Sequence, residues 1–347
     1  MDKKTGKAGK AAKIAGRVFS LAGVTVACLL LILLGVVWVM EKGPSPTATR
    51  MFTRSVRETS AIRWVSNIFL SEEEIEEYKS VSTEDLQTEQ INTSLIHPVD
   101  VESVSEEDSV ELIDIAEGTC KGKLLIVKNP KQVILGTNNG FGSQPGLQLT
   151  DMVKKYNGIA GVNAGGFNDE NGRGDGGTPQ GLVISEGRIL YGSPQGTYHM
   201  VGLDKDGILH VGAMRAQDAL DKGMLWAVSF VTHDGLASSL IINGEVQKKN
   251  MGGGVNPRTA LGQREDGALL LLVLDGRSIN TLGATMQDVA DIMLEYGAVN
   301  AGNLDGGSSS VMVYDGEIIN HCASVTGPRR IPTGFIVLDK EWTGVGE

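Results

Sequence analysis

The chain has 347 residues and a formal net charge of −11, with 41% hydrophobic residues, 5% aromatic residues and 46 glycines. That apolar mass suffices for one aliphatic, turn-rich core with attachments. The acidic balance excludes nucleic-acid binding as a main role, because phosphate backbones demand clustered Lys and Arg.

Residues 18–40 form an uncharged run of 23 residues, enough helix at about 1.5 Å per residue to cross about 30 Å of hydrocarbon. Lys3, Lys4, Lys7, Lys10, Lys13 and Arg17 precede it. The positive-inside rule then keeps residues 1–17 as a cytoplasmic basic tail and exports everything after the span. A cleaved signal peptide is the rival reading, but the flank WVMEKGPSP lacks a small-x-small cleavage pattern. The expectation is a single-pass anchor in the cell membrane with an extracytoplasmic body.

Residues 41–109 contain fifteen acidic and six basic residues and only Gly43, whereas forty of the 46 glycines lie from Gly118 onward. The segment reads as a helical stalk and an acidic linker. Ser71 with Glu74 makes a capping box opening SEEEIEEYK, and Ile62, Val65 and Phe69 form an apolar stripe. Residues 81–109 are too poor in apolar side chains to build a core. The stalk and linker are expected to hold the body off the membrane.

Residues 110–347 read as α+β: a Gly-rich, mixed, largely antiparallel sheet domain with a few packed helices. Strands are expected over 123–128, 132–136, 159–163, 182–185, 200–203, 208–211, 240–242, 268–274, 310–314 and 334–338. Turn dipeptides such as Asn243-Gly244 and Asp315-Gly316 separate several of them. Thr285 caps a helix over TMQDVADIMLEYG, with Met286, Val289, Ala290, Met293 and Leu294 on one face and Gly297 as its stop. Thr150 opens a shorter helix ending at Gly158. Cys120 and Cys322 are both on the exported side, which leaves a disulfide and two free thiols equally open. No Cys/His spacing suggests a metal.

Three polar, glycine-rich clusters at strand ends carry the chemistry. They are GVNAGGFN (161–168), NPRTALG (256–262) followed by LDGR (274–277), and NLDGGSSS (303–310). Glycines let backbone N–H groups approach an anion closely, while Asp, Asn and Arg add charge and directed hydrogen bonds, a combination suited to a sugar phosphate. Asp-Gly is a turn dipeptide first, and that reading is taken for Asp266-Gly267 and Asp315-Gly316. It is not taken for Asp305, since an apolar strand leading into Asp-Gly-Gly-Ser-Ser exceeds what a hairpin needs.

These clusters resemble the phosphodiester glycosidase family over residues 118–338. The carriers are VNAGGF (162–167), PQGLVISEGRI (179–189), RTALG (258–262), LDGR (274–277), GATMQDVADIMLEYGAVNAGNLDGGSSSVM (283–312) and RRIPTGFIV (329–337). The resemblance implies hydrolysis of a sugar-1-phosphodiester of the GlcNAc-1-phosphodiester kind; no cofactor is expected, and the residues themselves offer no metal-ligand set. It makes Asp305 the carboxylate at the anomeric carbon and Asp275 a second carboxylate or the partner that aligns an arginine. Gly306, Gly307, Ser308 and Ser309 then shape the pocket. Arg258, Arg277 and Arg330 are candidates to clamp phosphate, Asn163 and Phe167 belong to the substrate-binding set, and Arg329 reads as a solvated neighbour of Arg330. An outward-facing body would meet a cell-wall polymer or exopolysaccharide.

Other chemistries fit less well. The nucleophile elbow GxSxG is absent around Ser308–Ser310, which weighs against a serine hydrolase. Asp169, Asn171 and Asp175 resemble a calcium loop, but Arg173 interrupts it and Gln180 stands where a twelfth-position Glu belongs. The alternative from another class is a non-catalytic binding or assembly factor for sugar-phosphate wall polymers.

Overall fold

The uncharged amino-terminal run lies inside a longer helix. In the computed structural model Lys3–Lys42 is one α-helix of 40 residues. The structure describes residues 3–57, 59–79, 91–97, 109–138, 140–169, 174–230, 238–247, 251, 254–278, 281–324 and 327–343; most of the acidic linker lies outside them. Ile14–Lys42 is long and apolar enough to cross a membrane.

Three short helical elements follow: Pro46–Arg57, the 3₁₀ helix Ser60–Asn67, and Glu72–Lys79. The capping box forms, with Glu74 N donating to Ser71 Oγ at 3.2 Å and Ser71 N to Glu74 Oε2 at 2.8 Å. The stripe of Ile62, Val65 and Phe69 is not buried. The 3₁₀ helix through Asn67 has three residues per turn, so the 3.6-residue period behind that expectation fails, and Ser66 turns inward instead. The helical part of this segment touches the body. Val255 N donates to Ser55 Oγ at 2.9 Å, and Arg277 Nη2 donates to Thr59 Oγ1 at 2.8 Å.

Every strand pairing among the described residues is antiparallel, in three sheets. The seven-stranded sheet runs, neighbour by neighbour, Val110–Glu117, Cys120–Val127, Leu269–Leu274, Arg258–Arg264, Ala298–Asn303, Ser239–Ile242 and Glu245–Val246. One five-stranded sheet contains Glu317–Ile318, Met312–Tyr314, Gly158–Asn163, Thr333–Leu338 and Val133–Thr137. The other contains Arg188–Tyr191, Val183–Ser185, Met224–Ser229, Thr197–Asp204 and Leu209–Arg215.

The strand LLLLVL shows how the layers stack. Leu269, Leu271 and Val273 enter a core shared by all three sheets, while Leu270, Leu272 and Leu274 meet the helix Met286–Glu295 on the opposite face. A strand buried on both faces reads as a continuous apolar run. The helix starts at a capping box between Thr285 and Asp288, and Gly297 follows it at φ 85°. Its inward face uses Ile292 rather than Leu294, which is 38% exposed. The shorter helix is Leu149–Lys155, beginning one residue before Thr150. Asn157, at φ 52°, follows its end, and Gly158 already belongs to the next strand. Asn243-Gly244 and Asp315-Gly316 take positive φ at both residues, as two-residue hairpin turns require. Cys120 and Cys322 are both free thiols.

Candidate active site

Antiparallel pairing decides which strand ends meet. Arg258 pairs with Leu274 and Ala260 with Asn303, so the start of Arg258–Arg264 lies beside the ends of Leu269–Leu274 and Ala298–Asn303. In the adjacent sheet Met312 pairs with Val162 and Gly334 with Asn163, which puts the end of Gly158–Asn163 beside the starts of Met312–Tyr314 and Thr333–Leu338. Residues 304–311 cross from the first edge to the second and carry Asp305.

Backbone bonds pin this crossover: Leu304 N to Thr259 O at 2.8 Å, Asp305 N to Ala164 O at 2.9 Å, and Gly307 N to Pro257 O at 2.9 Å. Asn163 acts as the rivet. Its Nδ2 donates to the Asp305 carbonyl at 2.6 Å, and its Oδ1 accepts from Thr259 Oγ1 at 2.8 Å and Val311 N at 3.1 Å. At 1% exposure, with three of its four hydrogen-bonding positions occupied, Asn163 positions the turn and does not face an open hollow. Gly307 takes φ 64°, and a Cβ on Gly306 would sit 2.9 Å from Pro257 O, so the turn needs both glycines.

The Asp305 carboxyl sits within this turn. Burial pushes its pKa up to about 7, with the charge of Asp169 adding to the rise. The Ser309 hydroxyl, the Arg329 guanidinium and the Gly306 N–H pull the other way. Arg329 is the residue that sequence reasoning missed. It makes a two-pronged ion pair with Asp169 at 2.8 and 3.1 Å, donates to Gly174 O at 3.2 Å and to Ser308 Oγ at 3.4 Å, and lies 5.3 Å from the centre of the Phe167 ring. Arg330, the expected phosphate clamp, is exposed and donates to Gly146 O at 3.2 Å.

The other expected residues divide around the turn. Arg277, at φ 53°, lies on its far flank: a Cβ on Gly307 would be 3.3 Å from Arg277 Nη2, which donates to Asn256 Oδ1 at 2.9 Å. Arg258 passes beneath, 3% exposed, donating to Ala284 O at 3.1 Å and Gly254 O at 2.6 Å. Among the described residues, Asp275 forms no ion pair with Arg277. Its Oδ1 accepts from His321 N at 2.9 Å and Asn320 Nδ2 at 3.3 Å, and burial raises its pKa against those bonds. The three side chains Asn163, Arg258 and Asp305 therefore gather at one turn, with the first two as its foundation.

Among the described residues no histidine hydrogen-bonds to Ser308, Ser309 or Ser310, and no group of three His, Cys, Asp or Glu side chains could hold a metal. Asp169 of the calcium-like loop is engaged by Arg329; Asn171 lies outside the described residues. A surface groove lined by His97, Arg264, Glu265, Asp266, Glu295, Tyr296 and Gly297 lies at the other end of the Arg258–Arg264 strand, away from Asp305.

The family model described as phosphodiester glycosidase matches residues 156–338, a span that holds every residue placed around Asp305. The SPbeta prophage-derived uncharacterized protein YomE of Bacillus subtilis is 30% identical over 198 residues, 53% of this chain and 29% of that protein. N-acetylglucosamine-1-phosphodiester alpha-N-acetylglucosaminidase of Bos taurus is 28% identical over 172 residues, 44% of this chain and 32% of that protein. The chain thus spans about a third of the length of these curated relatives. The catalytic domain of the zebrafish N-acetylglucosamine-1-phosphodiester alpha-N-acetylglucosaminidase, auto-inhibited by its pro-peptide, superposes with a TM-score of 0.57 at 19% identity, covering 76% of this chain and 98% of that one. That likeness shows a shared fold.

Proposed function

The chain belongs to the phosphodiester glycosidase family, and on that footing we propose that it hydrolyses the bond between a sugar's anomeric carbon and a phosphodiester oxygen. The supporting observation is one half-buried carboxyl, Asp305, in a turn flanked by two guanidinium groups, Arg329 at Ser308 and Arg277 at Gly307.

In such a reaction positive charge grows on the sugar ring and negative charge on the departing oxygen. Asp305, ionised, stabilises the ring and takes a proton from the attacking water, a task suited to a group that titrates near neutrality. The bond from the anomeric carbon to oxygen breaks, and its electron pair leaves with the phosphate. Because the second pKa of a phosphomonoester is about 6, the leaving oxygen needs no prior protonation at neutral pH. Arg329, held against Phe167 by Asp169, and Arg277 supply fixed positive charge for the phosphate. Gly306, Gly307, Ser308 and Ser309 shape the sugar side. Asn163, Arg258 and Asp275 hold the loops in place.

The first helix serves as a retained membrane anchor with the body outside, where a phosphodiester-linked wall polymer or exopolysaccharide is available. The test is release of reducing sugar by the full chain, in detergent, from a panel of sugar-1-phosphodiesters that includes UDP-GlcNAc. Tight binding without release would favour the non-catalytic binding role and contradict the proposal.

A further inference from the structure

The helices after the candidate span lock onto the rim of the site. Lys42, at the end of the first helix, pairs with Glu74, and the buried Glu41 accepts from Phe69 N at 3.2 Å. Arg54 Nε donates to Tyr78 O at 2.8 Å, so the end of the span and the three short helices form one block. The block reaches the rim through Ser55 on Val255 and Thr59 on Arg277. The fit is close: a Cβ on Gly254 would lie 2.1 Å from Ser55 Oγ and 2.4 Å from Ser55 N. Gly254 O in turn accepts from Arg258, and Arg277 lies against Gly307.

The path from Lys42 to Ser55 is mostly helical and reaches at most about 28 Å. A flexible tether spanning 41–109 would average about 45 Å with no fixed direction. The block also exposes apolar side chains beside the span: Trp64 at 66%, Ile62 at 43% and Met51 at 37%. Tryptophan and aliphatic groups close to a membrane span match the composition of the bilayer interface. Since the arginines of the block are matched by the glutamates of Glu72–Lys79, the attraction is apolar and not one of net charge.

We propose that the block lies in the headgroup layer and holds the mouth of the site against the bilayer, so that the substrate is a sugar-1-phosphodiester whose alcohol is a membrane lipid. This rests on the glycosidase reading and on retention of the first helix as a span. The phosphate of such a substrate lies at headgroup depth, beside Arg277 and Arg329, and its sugar reaches Asp305. Water adds to the anomeric carbon, the bond from that carbon to oxygen breaks, free sugar leaves, and a lipid phosphomonoester stays in the bilayer.

The test uses the full chain in vesicles of phosphatidylcholine and phosphatidylglycerol, offered one sugar-1-phosphate esterified either to a long-chain polyprenol or to methanol. Sharing a surface raises effective concentration, so the polyprenyl diester should be cleaved with kcat/KM at least about tenfold higher. Loss of the interfacial side chains in Trp64→Ala with Ile62→Ser should cut that preference at least about threefold, as should Gly254→Ala, which pushes Ser55 off the rim. Equal kcat/KM on the two diesters would overturn the inference while the glycosidase reading stands. A preference that survives both sets of substitutions would overturn the docking block. Hydrolysis of neither diester would overturn the glycosidase reading and this inference with it.

Discussion

Asp305→Asn should stabilise the folded protein above neutral pH while removing its chemistry. The carboxyl titrates at about 7 in the fold against an ordinary value of 3.8, chiefly because it is buried. Between those values the folded state holds the extra proton, so stability falls as pH rises and the full penalty is present only above about pH 7. At about 1.4 kcal/mol per pKa unit the penalty is a little over about 4 kcal/mol. Asparagine mimics the protonated form and keeps one acceptor for Ser309 or the Gly306 N–H, giving up about 1 kcal/mol in hydrogen bonding. The expected net gain is about 3 kcal/mol at pH 8, shrinking to nothing or a slight loss near pH 4. Urea unfolding in mild detergent across that range reads it, with near-ultraviolet dichroism reporting on the Trp226–Trp342 edge-to-face pair at 5.0 Å. A variant no more stable than wild type at pH 8, or a difference that grows as pH falls, would refute the reasoning.

Arg329→Gln should leave the half-buried Asp169 carboxylate without its guanidinium and cost about 1–3 kcal/mol of stability, part of which Asp169→Asn in the same chain should restore in urea melts. The acidic limb of kcat/KM, expected near pH 7 if Asp305 must be ionised, should move upward in the same variant, because the guanidinium lowers that pKa. Asn163→Ala should unpin the Asp305 carbonyl and lower kcat more than it raises KM, at a stability loss of about 1–3 kcal/mol read by thermal unfolding. Arg258→Met should destabilise the fold by a similar amount, since two buried carbonyls lose their donor, and should leave KM for the diester nearly unchanged. A large rise in KM would return Arg258 to phosphate binding.

Local chemistry made part of this molecule legible from its sequence. The turns at Asn243-Gly244 and Asp315-Gly316 and the Thr285 cap depend on residues adjacent in the chain. The strand Arg258–Arg264 is not legible in the sequence because its polar residues are buried and satisfied from afar. Gln263 donates to Gly207 O at 2.8 Å and Gly267 O at 3.0 Å and accepts from Leu209 N at 2.7 Å. The same limit applies at the site. Asp305 announces itself through Gly-Gly-Ser-Ser, but on an extended segment neighbouring side chains face opposite ways, and nothing local tells which of Arg329 and Arg330 turns inward. The deciding partner, Asp169, is 160 positions away.

The central claim is that Asp305 performs the chemistry. It is tested most directly by assaying the full chain and its Asp305→Asn variant on one sugar-1-phosphodiester, counting free sugar and phosphomonoester together. Wild type should release the two in equal amounts, and the variant, folded by dichroism, should fall by a factor of about 10³ or more. Sugar release at the wild-type rate by the folded variant would contradict the account.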